Sequence, residues 1–220
     1  ISSTVSANTT SGFSIVKYVS NGTAGATVGH GLGVAPKMVI TFNLAGEDNW
    51  GIGHSGLPSW DYYLQFNTAA QANSQNVWND IAPSASLVTL GDNGRSNSSN
   101  NRNYIMYCFA DVQGYSKFSS YTGNGSTDGT FVYTGFSPAY VMIKRSDTAG
   151  ERWNIKDNKR DGYNQTDPVL TADSSGAEYD DAQMDLLSNG FKIRTSAVST
   201  NASGGTYIYM AFAEAPLVGT

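Results

Sequence analysis

Apolar and polar residues alternate with a period of two over much of the chain. From Phe13 to Val19 the pattern is that of a strand with one buried face, because successive strand side chains point to opposite sides. Asn21-Gly22 follows at once, and Asn-Gly tolerates the positive φ values that a tight hairpin needs. Further strand-like runs cover Lys37–Phe42, Trp50–His54, Tyr62–Phe66, Ser86–Leu90 and Tyr104–Asp111. The last is almost continuously apolar, which predicts a central strand buried on both faces. A second series covers Ser116–Thr122, Thr130–Tyr133, Ala139–Lys144, Arg152–Lys156, Gly190–Thr195 and Tyr207–Glu214. Only Asp180 to Leu187 suggests helix, one turn or two. Asn93 to Asn103 is rich in Ser, Asn and Arg and predicts an exposed, mobile loop.

The two series are copies of one pattern. Gly12-Phe13-Ser14 matches Gly114-Tyr115-Ser116, and Pro36 with Met38-Val39-Ile40 matches Pro138 with Tyr140-Val141-Met142, both at an offset of 102. Tyr18 to Gly22 matches Tyr121 to Gly125 at 103, as do Trp50 and Trp153. Tyr104 to Asp111 matches Tyr207 to Glu214, again at 103. Collinear matches at nearly one offset indicate duplication of a module of roughly a hundred residues. The expected architecture is all-β: two tandem β-sandwich, jelly-roll-like modules, residues 1–112 and 113–220, with Val112-Gln113 as the joint.

Composition narrows the classes of function. Charged residues are 14% of the 220 and aromatics 12%, with 24 glycines; disordered chains show more charge and fewer rings. The net charge of −5 and the scattered Lys and Arg give no footprint for a nucleic acid. The apolar runs are too short for a membrane span, and no signal peptide is visible. The start at Ile1 implies a processed form or a piece of something longer. Cys108, the one cysteine, lies in an apolar strand and is expected to be buried and inert.

Catalytic signatures are weak. His30 sits among glycines in Gly29-His30-Gly31-Leu32-Gly33, where a turn role is expected, and two histidines with one cysteine make no zinc motif. There is no Gly-x-Ser-x-Gly elbow. Glu47, Asp48, Asp61 and Asp80 have no spacing that predicts the facing carboxylates of a glycosidase. The acidic stretch holding Asp167, Asp173, Glu178, Asp180, Asp181 and Asp185 lacks EF-hand spacing. It is expected to be solvated; Asp173, Asp180 and Asp181 are the candidates if calcium binds, and no other cofactor is implied.

The aromatics suggest more. Trp50 and Trp153 occupy equivalent repeat positions and are expected in the core. Trp60 and Trp78 have no partner in the second copy. With Asp61, Tyr62, Asn79 and Asp80 they form a candidate binding surface in which rings supply area and short polar groups orient sugar hydroxyls.

Several motifs together resemble the β-rich repeat domain of marine bacteriophage tail-fibre-like and other virion structural proteins. They are His30 to Pro36, Gly114 to Ser126, Tyr133 to Pro138 continuing to Lys144-Arg145, Leu187 to Lys192, and Tyr207 to Glu214. The resemblance runs from about Gly12 to the end; the first copy departs from it where Thr41-Phe42-Asn43 replaces the Lys144-Arg145 region. It implies a place on the virion surface, a homotrimer, contact with other virion subunits and a host-surface partner, and it transfers no catalytic residue. The expected function is therefore a non-catalytic tail- or head-fibre domain that binds a host glycan or other subunits. A secreted bacterial carbohydrate-binding or adhesin module is the alternative, and a capsule depolymerase the third. If the copies share a scaffold, function should lie where they differ, in 55–103 and 157–189.

Overall fold

A computed structural model describes residues 1–46, 48–70, 72–99 and 101–215. Glu47 and Asn100 therefore lie outside the described residues. The chain divides into two compact units, residues 1–67 with 72–111, and residues 112–220 with 68–71.

The first unit contains β1 (Ser3–Asn8), β2 (Phe13–Val19), β3 (Ala26–Gly29), β4 (Met38–Asn43), β5 (Gly51–His54), β6 (Tyr62–Gln65), β7 (Asn73–Ser74), β8 (Leu87–Leu90) and β9 (Asn103–Phe109). Seven strands make one sheet in the order β1-β2-β9-β4-β5-β6-β7, and β3 pairs with β8. All named pairings are antiparallel. The alternation in β2 is realised: Ser14, Val16 and Tyr18 are buried, while Ile15, Lys17 and Val19 are exposed. The apolar closing strand β9 is central, hydrogen-bonded by β2 on one side and β4 on the other. The core gathers Val16, Tyr18, Val28, Trp78, Tyr104 and Met106.

The second unit contains β10 (Ser116–Thr122), β11 (Phe131–Tyr133), β12 (Pro138–Arg145), β13 (Asn154–Asp157), β14 (Thr166–Thr171), β15 (Tyr179–Leu187), β16 (Gly190–Ile193), the one-turn helix α1 (Val198–Asn201) and β17 (Thr206–Ala213). Its sheet order is β10-β17-β12-β13-β14-β15-β16-β11. The run β10-β17-β12-β13-β14 has the same connectivity as β2-β9-β4-β5-β6, and β11 pairs with β16 as β3 pairs with β8. Its core gathers Tyr121, Val141, Met184, Phe191, Tyr207 and Tyr209. The fold is all-β and sandwich-like, and no helix among the described residues is long and apolar enough to cross a membrane.

Four expectations need correction. Asp180 to Leu187 is not helical but lies in β15. Ala182 and Met184 are buried with Gln183 exposed between them, a period of two that the acidic neighbours obscure. Trp50 is only half-buried, stacked 4.5 Å from Phe42, whereas its counterpart Trp153 is 2% exposed. The Asn93-to-Asn103 loop is not uniformly exposed, since Ser96 and Asn97 have zero exposure. The fourth, the place of Trp78, belongs with the candidate site. Strands β1, β3 and β14 were not legible: β1 is polar and exposed along most of its length, and β14 carries Pro168 at a register shift, where a missing N–H is tolerated.

The Asn93-to-Asn103 loop is ordered by a device present in both units. Tyr18 and Tyr104 stack at 5.3 Å, as Tyr121 and Tyr207 do at 5.0 Å. The Tyr18 hydroxyl donates to the Ser96 carbonyl at 2.6 Å, and the Tyr121 hydroxyl to the Thr200 carbonyl at 2.7 Å. Beside each lies a buried asparagine. Asn97 Oδ1 accepts from the N–H groups of Asn21 and Gly22 at 2.8 and 3.2 Å, and its Nδ2 donates to Asn21 Oδ1 and to the carbonyls of Thr23 and Gly91. Asn201 Oδ1 accepts from Asn124 N–H at 3.0 Å, and its Nδ2 donates to Asn124 Oδ1, Ser126 O and Thr195 O. Gly22 and Gly125 have φ of 63° and 69°, and a Cβ on either would strike Ser99 or Ser203.

Candidate functional site

The six aromatic and polar candidates of the first unit do not form an open platform. Trp78 has zero exposure, which overturns its expected surface position. Its ring meets Trp60 edge-on, with centroids 6.0 Å apart and planes at 85°, an arrangement favoured by the ring quadrupoles. Gly53 makes room for the pair: a Cβ there would lie 2.3 Å from Trp60 Cζ3 and 2.9 Å from Trp78 Cε2. Trp60 is half-buried against the core. Asn79 and Asp80 take left-handed backbone at φ 54° and 49°, where Asn and Asp are tolerated better than most residues. The Asp61 carboxylate accepts from the Ser74 hydroxyl across the β6–β7 pair, which aligns Tyr62 with Ser74. These residues complete a core and its turns.

The fold brings Asp180 and Asp181 to the border of one cavity with Asp167 and gives Asp173 other partners. Asp173 Oδ1 accepts the Trp153 N–H at 3.1 Å, and Oδ2 faces Arg152 Nη1 at 3.5 Å. Asn67 does the same for the Trp50 N–H at 3.1 Å, so Asp173 sits where the other unit has a neutral cap. Asp180 and Asp181 are exposed and adjacent on β15. Among the described residues no three His, Cys, Asp or Glu side chains are grouped to hold a metal ion.

A cation does occupy this region, and it is a lysine. The β14–β15 register jumps from Thr166↔Met184 to Pro168↔Asp180, so a bulge forms with Ala182 at φ 53°. Lys156 is 1% exposed, and its Nζ donates to the carbonyls of Asp167 and Asp181 at 2.6 Å each and of Thr166 at 3.3 Å. Burial pulls its pKa down to about 8, against the opposing field of Asp167. Lys144 has zero exposure and donates to the carbonyls of Arg145 and Glu151 at 2.8 Å each; burial again lowers it to about 8.

His30, expected in a turn, is fully buried there. Its Nδ1 accepts the Leu32 N–H at 3.3 Å, which leaves Nε2 to donate to the Ser84 carbonyl at 3.2 Å, and burial lowers its pKa. Cys108 is buried as expected, and burial pushes its thiol up to about 12, which suppresses the thiolate.

An open polar site lies in the second unit, in the segment after β13. Asp157 caps the turn: its Oδ1 accepts from the N–H groups of Lys159 and Arg160 at 2.9 and 3.1 Å, and its Oδ2 from Arg160 Nε at 2.7 Å. Arg160 also reaches the Ile155 carbonyl and Glu178, each at 2.9 Å. Asp161 Oδ2 accepts the Asp167 N–H at 3.0 Å. The Asn164 side chain mimics a strand partner, donating to the Leu186 carbonyl and accepting the Leu186 N–H, both at 2.9 Å. These bonds hold the segment 158–165 as the wall of a cavity of about 200 Å³.

The cavity is bordered by Asn158, Asp161, Tyr163, Asn164, Thr166 and Glu214, with Leu186 and Pro138 as apolar floor. Asn158 Nδ2 donates to Glu214 Oε1 at 2.8 Å. Asn158 Oδ1 and Thr166 Oγ1 are buried and have no hydrogen-bond partner. Such orphans cost free energy unless something pairs with them. Tyr163 is 82% exposed at the rim. Sequence patterning points to none of these residues individually; most of them fall within 157–189, where the two series of strands differ. The available signal was a lone tyrosine inside Asp157-Asn158-Lys159-Arg160-Asp161-Gly162-Tyr163-Asn164, a run of turn-forming and hydrogen-bonding residues.

No curated protein and no solved structure matches the chain. One family model does, a domain of unknown function designated DUF7483, and the match spans residues 1–216, across both units. The chain belongs to the DUF7483 family.

Proposed function

We propose that this chain is a non-catalytic structural and adhesive domain of a virion surface, a tail- or head-fibre element that binds a host-surface glycan. The observation that carries the reading is a polar cavity of the second unit, bordered by Asp161 and Glu214 and by an exposed tyrosine, with an amide oxygen and a hydroxyl left unpaired just behind its wall. The motifs that resemble virion repeat domains support the location. The shared strand order and the paired tyrosine–asparagine clamps support descent of both units from one module. A duplicated scaffold fits an adhesive domain, in which one copy is free to diverge.

Two measurements test this reading. Light scattering should give about three times the 23.4 kDa chain mass for a trimeric fibre element; a strict monomer argues for the secreted adhesin instead. A glycan array should show binding to at least one host-surface saccharide, and a blank array removes the adhesive part. A second reading, polysaccharide hydrolysis, is favoured by one observation: Asp161 and Glu214 both border the cavity, and hydrolysis needs two carboxylates at one sugar. Release of reducing ends from a capsule polymer, abolished by Glu214→Gln, would establish it.

A further inference from the structure

The geometry points to the cavity bordered by Asn158, Asp161, Tyr163, Thr166 and Glu214 as a subsite for one uncharged hexopyranose residue. This rests on the adhesive reading above and gives it a site and a ligand class.

The donors and acceptors around the cavity select its ligand. Asp161 and Glu214 present carboxylate oxygens, and Asn158 Oδ1 is an unpaired acceptor. Thr166 Oγ1 is unpaired too; both atoms lie just behind the surface, Thr166 being only 2% exposed, and each must turn toward the cavity to meet a ligand. The wall is therefore rich in acceptors, with one hydroxyl able to donate or accept. The matching ligand is dense in O–H donors. A pyranose ring carries several, and its C–H face can lie on the exposed Tyr163 ring, burying apolar area at small entropic cost. Nothing in the wall welcomes an anion: none of the described lining residues carries a positive charge, and Arg160 is already bonded to Asp157 and Glu178. Uronic and sialic acids would meet two carboxylates without a counter-charge. The volume of about 200 Å³ is below the usual range of drug-sized pockets and suits a single ring.

The carboxylates are held before any ligand arrives. Asp161 is fixed by the Asp167 N–H and Glu214 by Asn158 Nδ2. Asn164 ties the rim to Leu186 through two hydrogen bonds. Preorganisation of this kind lowers the entropic cost of binding.

The test uses the intact 220-residue chain, labelled with ¹⁵N and titrated with the methyl glycosides of glucose, galactose and mannose. Methyl glucuronide and n-butylammonium serve as charged controls. At least one neutral glycoside should bind with a Kd on the order of 1 mM, from the affinity expected per ligand atom. Shifts should centre on the amides of Gly162, Asn164 and Leu186, and methyl glucuronide should give none. Tyr163→Ala and Thr166→Val should each weaken binding about tenfold. Tyr163→Ala removes an exposed ring and Thr166→Val is isosteric, so both variants keep the fold, as the rest of the spectrum will verify. Glycoside binding that maps elsewhere, or survives both substitutions, overturns the site while the adhesive reading stands. Binding of n-butylammonium or methyl glucuronide in preference to every neutral glycoside overturns the ligand class. No binding of any saccharide, here or on the array, overturns both.

Discussion

Val39 and Val141 occupy matching places in the two units, and what faces them differs completely. Val39 pairs with Gly53, and Trp60 and Trp78 pack over that glycine. Val141 pairs with Lys156, whose ammonium is enclosed by three backbone carbonyls of the β14–β15 bulge. One slot is filled by rings over a missing side chain, the other by a long side chain whose charge is satisfied by main chain. The scaffold therefore specifies strand order and the clamps at the turns and leaves this slot free. The bulge that supplies the carbonyls for Lys156 includes Thr166 and Asp167, and Thr166 also borders the cavity, so the change of filling and the cavity share that residue.

The comparison can be broken most severely at its aromatic side. Trp78→Ala should cost about 4 kcal/mol, the range for a large ring removed from a packed core, read from denaturant unfolding. A cost below about 1 kcal/mol would mean that the rings do not fill the slot. Next come the features the units share. Asn97→Ala and Asn201→Ala should each cost about 3 kcal/mol, because several buried bonds are lost at once. Markedly unequal losses would show that the two clamps are not equivalent.

Lys156→Met should cost about 2 kcal/mol at neutral pH by leaving buried carbonyls without donors. Its pH dependence has a definite sign. The folded pKa of about 8 lies below the ordinary lysine value, so between the two the unfolded chain binds more protons and native stability rises with pH. The variant lacks this contribution, so the gap between wild type and variant should widen from pH 8 to 10. A gap that narrows would mean that burial does not depress this lysine. The smallest effect belongs to Tyr163→Ala, within about 0.5 kcal/mol of wild type in the same assay; a larger loss would assign the ring to the fold.

The fold was legible where the alternation and the internal sequence matches coincide. Strands β2, β4, β9, β10, β12 and β17 carry both signals; β9 and β17 are interior strands paired on both sides, but only β17 is buried on both faces, since Ile105, Tyr107 and Phe109 of β9 are half-buried. The Ser96-Asn97 and Thr200-Asn201 pairs were readable as a repeated motif, but a polar loop conceals a buried asparagine that bonds to residues more than seventy positions away. Trp60 and Trp78 have no counterpart in the other unit, and that absence does not free a ring from the core, since Trp78 has zero exposure. The informative difference was the small one opposite them, Gly53 against Lys156. The cavity was illegible because its wall is set by side-chain bonds such as Asn164 to Leu186, which leave no periodic trace.

The paired clamps also bear on chemical lifetime. An asparagine followed by glycine loses its side-chain amide when the glycine nitrogen attacks the side-chain carbonyl and closes a five-membered imide. Here Gly22 N–H is held by Asn97 Oδ1 at 3.2 Å and Gly125 N–H by the Asn201 carbonyl at 2.9 Å. The asparagine oxygens of both pairs are held as well, each at 3.0 Å by the backbone N–H two residues on. Ring closure must first break these bonds, so both dipeptides should age more slowly in the folded chain than in a free peptide. Mass spectrometry of a long-incubated sample would reveal equal rates if the clamps gave no protection. The folded chain would keep its turns, and the register they set, for as long as the clamps stay closed.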